Sequence, residues 1–299
     1  MGKKITNILC WGVCIVFLCV GLGFLTVFFW NPVSHALARS SADRYLKQYF
    51  FNQDFEIIGS GFDLKTGGYY IDVISPSSRD SHFTIYCDAL GRYQHDTHYF
   101  IQNGTNTFSR LEREYWDLAE CIFGSAPFDI SIGFGELRAA DYAEVFHYTN
   151  SAGEVKEYTL WQDYGIDMST LKLDADYDIQ QLGRDHGKLC VYIHDPEVTV
   201  ERAAEVLLEF KAYMDVQGLP FHAIDFTLCE PRNAEGQLVG QQITLLEFLY
   251  IDIYEEGMVE RVEVSWNITQ EHYAIQDGEK VNSELEYLTE FQNPPDSLP

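Results

Sequence analysis

Apolar and polar positions alternate with period two in FEIIGSGFD (55–63), GYYIDVIS (68–75) and HFTIYCD (82–88), which predicts three strands. Leu64-Lys65-Thr66-Gly67 is a turn-like link between the first two, and Pro76-Ser77-Ser78 ends the second. Ahead of them, VSHALARSSADRYLKQYF (33–50) has helical spacing, with Ala38, Ala42, Tyr45, Leu46 and Tyr49 able to share one face. A helix followed by a meander then recurs. Residues 105–123 place Leu111, Tyr115, Leu118 and Ile122 on one helical face, with Thr105 or Asn106 as cap and Gly124 as stop. Strand patterns follow at 128–137, 142–148, 154–161 and 188–194. In the third round Thr199 caps a helix over 200–217, Gly218 closes it and Pro220 follows. Strand patterns at 221–229, 242–254 and 260–266 come next, then a short helix at 283–291. The fold class predicted is α+β, with repeated helix-plus-antiparallel-meander units and no residue-level repeat.

In front of these units lies a run without charge, from Ile8 to Trp30. As a helix it would be roughly 35 Å long, enough for a hydrocarbon core of about 30 Å. It exceeds the roughly 7–15 apolar residues of a secretory signal. Lys3 and Lys4 precede it, which keeps the N-terminus in the cytoplasm, and Trp11 and Trp30 stand near its ends. The pattern favours an uncleaved signal anchor over residues 8–30 that leaves the bulk of the chain extracytoplasmic. Ala36-Leu37-Ala38 is a small-x-small pattern, so cleavage after Ala38 is the alternative. The organisation expected is a tip and anchor at 1–32, a first domain at 33–162, an acidic linker or insertion at 163–187 and a second domain at 188–299. A break near 101–105 is the other placement.

Charge changes the picture next. All 46 acidic residues lie beyond the run, starting at Asp43, against 18 of the 20 basic ones, which gives that part a formal charge of −28. Such a field repels nucleic acid and anionic headgroups. Beyond the run, Cys87, Cys121, Cys190 and Cys229 are widely spaced inside apolar stretches, without a CxxC pair. They read as small buried hydrophobes, with room for one disulfide.

Candidate chemistry is sparse. In LDADYDIQQLGRDHG (173–187), Asp174, Asp176 and Asp178 alternate as the first ligands of a calcium loop do, with Asp185 at the twelfth position. Ile179 stands where such a loop needs glycine, so the plain reading is an acidic loop with Asp178 capping a short helix. HDTH (95–98) offers His95, Asp96 and His98, with His82 nearby, for a metal or proton site, against surface histidines on a hairpin. No GxSxG, P-loop or HExxH is present. SIGFGEL reads as a strand whose glycines permit close backbone approach.

The run SADRYLKQYF, then FEII with GGYYIDVISP, then HFTIYCDALGRYQHDTHYF resembles the YfjL-like proteins, single-pass membrane proteins of Gram-positive bacteria. The likeness covers about the first 100 residues moderately and the rest loosely. It implies an anchored extracytoplasmic α+β domain and assigns no residue a role. The helix-plus-meander order also looks like small cystatin-like or propeptide-like inhibitory modules, at the level of fold alone. The function expected is a membrane-anchored binding or interaction protein whose partner is a protein, a peptide or a cell-wall component. The alternatives are an anchored hydrolase or metal-dependent ectodomain built on a carboxylate/His cluster, and a calcium-responsive ectodomain.

Overall fold

The computed structural model describes residues 11–12, 31–140, 145–149, 155–159, 164–233, 235–237 and 240–276. The expected anchor, except for Trp11 and Gly12, and the expected helix at 283–291 lie outside the described residues. Among the described residues no helix is long and apolar enough to cross a membrane. The chain divides into two compact units, one up to Thr107 with Leu171–Ala175, the other Phe108–Thr170 with the residues from Asp176 on.

The first unit is one helix on one face of a meander. Helix α1 (Pro32–Tyr49) begins at its own cap. Asn31 has extended backbone, its Oδ1 accepts the Val33 N–H at 2.9 Å, and Pro32 takes the first helical position, where no N–H is needed. Strands β1 (Glu56–Asp63), β2 (Gly68–Ile74), β3 (His82–Cys87) and β4 (Tyr93–Asp96) pair antiparallel in sequence order. Period two decides the faces. Tyr69, Ile71 and Val73 of β2 and Phe83, Ile85 and Cys87 of β3 point inward and are buried against Ala38, Ala42 and Leu46 of α1. Tyr49, expected on that face, is 62% exposed. The other face carries the row Gly61, Tyr70, Tyr86 and His95, one residue from each strand. A short helix, α2 (Tyr99–Gln102), follows β4. Asn106 is no helix cap. Its carboxamide is buried and donates to the carbonyls of Asp80 and His82 at 2.9 and 2.6 Å.

The second unit departs from the meander expected. After α3 (Thr105–Phe123) come β5 (Ile130–Leu137), the hairpin β6 (Val145–Thr149) and β7 (Val155–Thr159), α4 (Ile179–His186), β8 (Gly187–His194), α5 (Val200–Gln217), β9 (Ala223–Cys229), β10 (Gln242–Leu249) and α6 (Met258–Gln276). The sheet order is β10-β9-β8-β5, and β8 runs parallel to β9 with α5 as the crossover. A parallel neighbour needs such a long connection, whereas a meander would have used a hairpin. The two ends of α5 are as predicted: Thr199 Oγ1 accepts the Arg202 N–H, and Gly218 closes the helix at φ 71°. Leu189, Val191, Ile193, Ile224, Phe226 and Leu228 form the buried sheet face, with Leu207, Phe210 and Met214 of α5 and Leu111, Tyr115 and Ala119 of α3 buried as well. Gly135 has the close approach predicted, since a Cβ there would meet the Tyr115 ring and Ala119.

The strand expected at 260–266 is part of α6. Val262, Val264 and Trp266 alternate over a few residues, but over the whole segment Met258, Val262, Thr269 and His272 are the buried positions, at helical spacing. The strand expected over 242–254 stops at Leu249, where Tyr250–Asp252 turn into a 3-10 helix.

Candidate functional site

The two turns at one end of the first sheet make a pocket of about 430 Å³. The β1–β2 turn is held by Asp63, whose carboxylate accepts the Lys65 N–H at 2.9 Å and the Thr66 hydroxyl at 2.8 Å. The Thr66 hydroxyl, and then the Lys65 N–H, keep that carboxyl below the usual carboxylate range. Gly67 has φ 68°, and a Cβ on Gly68 would strike the Cys87 carbonyl oxygen. Gly67 therefore holds a backbone that favours glycine, and Gly68 leaves no room for a side chain. The β3–β4 turn is held by Asp88, one oxygen of which accepts the N–H groups of Leu90 and Arg92 at 2.9 and 2.8 Å. Tyr86 and His95 stack at 4.7 Å and 14° and line the pocket together with Gln94, and Phe62, which packs on the core residue Tyr69, adds to its lining. A wider groove of about 700 Å³ runs between α1 and the edge strand β1, over Leu46, Phe50, Phe55 and Ile57. Its rim includes the exposed pair Lys47–Asp43 at 2.6 Å.

In the second unit a charged network lies among the strands. Lys188 Nζ is 3.0 Å from Glu136, 3.1 Å from Asp225 and 3.3 Å from Glu247. Arg138 also reaches Glu247 at 3.3 Å, and the Tyr164 hydroxyl donates to Glu247 at 2.7 Å. Burial by itself would lower the Lys188 pKa, but Asp225, Glu247 and Glu136 outweigh it and hold the ammonium above the ordinary lysine range. Burial raises Glu247 above the ordinary carboxyl value, against Lys188, which lowers it. Glu247 sits at the irregularity in the β10–β9 pairing with φ 52°, an uncommon backbone for a residue with a side chain. Every charge in this network has an opposite neighbour.

Cys229 Sγ lies 3.3 Å from His194 Nδ1, a spacing that invites a nucleophile–base reading. The surroundings argue for a resting thiol. Sγ donates to the Ile193 carbonyl at 3.5 Å, and His194 Nδ1 lies 3.0 Å from the Glu230 carbonyl, which requires a proton on that nitrogen. Burial raises the Cys229 pKa. Burial likewise pushes Cys87 up to about 11 and Cys190 up to about 12. All four described cysteines are free, so the disulfide for which the sequence left room is not formed.

The calcium candidates are placed apart in role. Asp174, at φ 58°, accepts the Ser78 hydroxyl at 2.9 Å and the Asp80 N–H at 3.0 Å, and its own N–H donates to Asp80 Oδ2 at 2.9 Å. It is half of a reciprocal latch with the fully buried Asp80, whose Oδ2 also accepts the Thr107 hydroxyl at 2.9 Å. Asp178 caps α4, accepting the N–H groups of Gln180 and Gln181. Asp185 accepts from the Gln181 carboxamide at 2.7 Å. Asp176 lies in the loop between these two roles. Among the described residues no three His, Cys, Asp or Glu side chains are gathered to hold a metal ion. The histidines also part company. His95 stacks outward on Tyr86, whereas His98 packs among Phe50, Phe55 and Phe83. Asp96 serves structure, accepting the hydroxyls of Tyr45 at 2.6 Å and Tyr93 at 2.8 Å.

Sequence reasoning did not find the network around Lys188 or the pocket walls. A signal for the first exists. KLCVYI, AIDFTLC and TLLEFLY each carry one charge in an otherwise apolar strand, and the signs are complementary. For the pocket, the signal is two glycine-bearing turns flanking aromatic strands.

The architecture is that of a two-unit α+β protein with a helix-on-meander first unit. The YfjL-like N-terminal domain matches residues 3–97 and the YfjL-like C-terminal domain matches residues 141–263. The chain belongs to the YfjL-like family. No curated protein and no solved structure matches it.

Proposed function

We propose that this YfjL-like chain is a single-pass, membrane-anchored extracytoplasmic binding protein. Residues 8–30 hold it in the membrane, the N-terminus is cytoplasmic, and the bulk of the chain faces outward. The uncharged run behind Lys3 and Lys4 supports the anchor and its direction. The formal charge of −28 beyond it supports a solvated outer portion that does not bind nucleic acid. The observation that carries binding over catalysis is that, among the described residues, the two clusters of reactive groups are engaged within the fold. The Lys188 network is charge-paired throughout, and the Cys229 thiol keeps its proton beside a His194 whose Nδ1 is engaged elsewhere. The cavities of the first unit are lined instead by aromatic and polar side chains, among them Asp88, one oxygen of which takes no part in its turn.

The test is to express the full chain with a C-terminal tag, fractionate membranes and take the intact mass. A full-length product in the membrane pellet, open to protease added outside, is the expected result. A soluble product beginning near Arg39, or a tag shielded from outside protease in intact cells, would overturn the reading.

A further inference from the structure

The pocket between the two turns of the first sheet has a composition that points to one kind of ligand. Its volume, about 430 Å³, lies within the roughly 300–1,000 Å³ usual for small-molecule sites. One wall is aromatic and fixed in place, because Tyr86 and His95 hold each other nearly parallel at 4.7 Å. The rim is polar, with the Thr66 hydroxyl, the Gln94 carboxamide, the Lys65 ammonium and the Asp88 carboxylate. Asp88 uses one oxygen to hold its turn, and the second enters none of those bonds. The rim thus presents both donors and acceptors. Its two full charges, Lys65 and Asp88, cancel, so a charged ligand would gain little net attraction there. Asp63 is the next charge along the turn and is acidic, which disfavours an anion further. Gly68 keeps this rim tight against the Cys87 carbonyl.

A ligand that matches must be neutral, carry a flat apolar face, and be ringed by groups that both donate and accept hydrogen bonds. A pyranose ring has this form: C–H groups on one face and hydroxyls around the edge. We propose that this pocket binds a neutral pyranose unit of a saccharide chain. An outer face of the stacked Tyr86–His95 pair meets the ring face, and Gln94, Thr66 and Asp88 meet its hydroxyls. The aromatic row continues from the pocket across the sheet. Tyr70 is opposite Tyr86 in register, its ring lies over Gly61, and it is 36% exposed. That row gives a second unit of the chain a surface to lie on, which a free monosaccharide would not need.

This inference rests on the extracytoplasmic binding function proposed above, and its test separates the two. The full chain, in a zwitterionic detergent without sugar headgroups, is titrated with three probes: a tetramer of β-1,4-linked N-acetylglucosamine, cellotetraose, and a galacturonate tetramer. Calorimetry and ligand-observed NMR report binding. The expected result is saturable binding of a neutral tetramer with Kd below about 1 mM. The substitutions His95→Ala and Gln94→Ala should each weaken it about fivefold or more, with the melting temperature unchanged because both side chains are exposed. Three results would overturn the proposal: no saturable binding of either neutral tetramer up to about 10 mM, binding that survives both substitutions, or preference for the galacturonate. The membrane fractionation reports separately on location, so a sugar-binding chain that proves soluble refutes the anchor and leaves the pocket standing.

Discussion

Replacing Lys188 by Met should destabilise the second unit by about 3 kcal/mol. The ammonium is 11% exposed and faces three carboxylates at 3.0–3.3 Å, of which Glu247 is 3% exposed, Asp225 21% and Glu136 30%. At an effective dielectric of about 20 a pair at that distance attracts by roughly 5 kcal/mol, and desolvation of the two ions cancels most of it. The intact network is therefore near neutral in free energy. Removing its centre is not, because the carboxylates remain buried without their cation, and losing one partner of a buried pair costs about 3–5 kcal/mol. Two facts place this case at the lower end. Asp225 and Glu136 can recover some hydration, and Glu247 keeps Arg138 at 3.3 Å and the Tyr164 hydroxyl at 2.7 Å. For a unit of this size, about 3 kcal/mol lowers the melting temperature by roughly 6–12 °C. Circular dichroism of the full chain, melted and unfolded in urea, measures it. The double variant Lys188→Met/Glu247→Gln should be less damaged than the sum of its parts by at least about 1 kcal/mol, because the second change removes a charge the first stranded. A Lys188→Met protein within about 0.5 kcal/mol of wild type, or an additive double variant, would refute the account. The pH dependence has a definite sign. The folded-state pKa of Lys188 is raised above its unfolded value, so its contribution is fully present below about 10.5 and is lost as pH rises through the raised value.

Three further outcomes follow from the same structure. Burial depresses the folded-state pKa of His98 despite Asp96, so its contribution to stability is present above about 6.5 and lost as pH falls through the depressed value. His98→Phe, placed among Phe50, Phe55 and Phe83, should flatten the fall of melting temperature between about pH 6.5 and 5, and an unchanged pH profile would contradict this. Asp174→Asn keeps the acceptor for Ser78 and Asp80 and tolerates φ 58°, so it should cost under about 0.5 kcal/mol, whereas Asp174→Ala should cost about 1–3 kcal/mol. Neither variant should change the response of the melting curve to millimolar calcium, and a calcium-dependent rise in wild type that Asp174→Asn abolishes would restore the ligand reading. Among Cys87, Cys121, Cys190 and Cys229, only exposed Cys121 should label quickly with an aromatic disulfide reagent at pH 8, since burial raises the other three thiols. Rapid labelling of Cys229 would instead indicate an activated Cys–His pair.

What the sequence made legible was mostly what local physics decides. α1 announces itself through its spacing, and α5 through spacing, the Thr199 cap and the terminal Gly218, all of which act within a few residues. The first meander is legible for the same reason, because period-two strands joined by short turns leave a sheet few other ways to pair. The second sheet is not local. KLCVYI and AIDFTLC read alike whether they pair parallel or antiparallel, and only the long helix between them hints that β8 and β9 are neighbours in the parallel sense. The segment at 260–266 failed for a related reason. Seven residues with three alternating apolar positions satisfy two periods at once, and burial at Met258, Thr269 and His272 settles the matter from outside that window.

The candidate sites divide along the same line. Alternating aspartates suggested ligands because spacing alone was visible, and spacing does not report what a carboxylate is already holding. Asp174 is committed to Asp80 and Ser78, Asp178 to the first turn of α4, and Asp185 to Gln181. In a chain with 46 acidic residues such local employment is common, and counting carboxylates says little about function. The informative groups are those whose hydrogen-bonding capacity is not used up by the fold. That criterion passes over the densest charge in the second unit, where Lys188 and its neighbours neutralise one another. It selects the modest pocket of the first unit, where one oxygen of Asp88 takes no part in the turn and an aromatic pair stands at the wall. A folded protein shows its binding chemistry in what it leaves unsatisfied at a solvent-accessible surface, because satisfied groups have already been accounted for by stability.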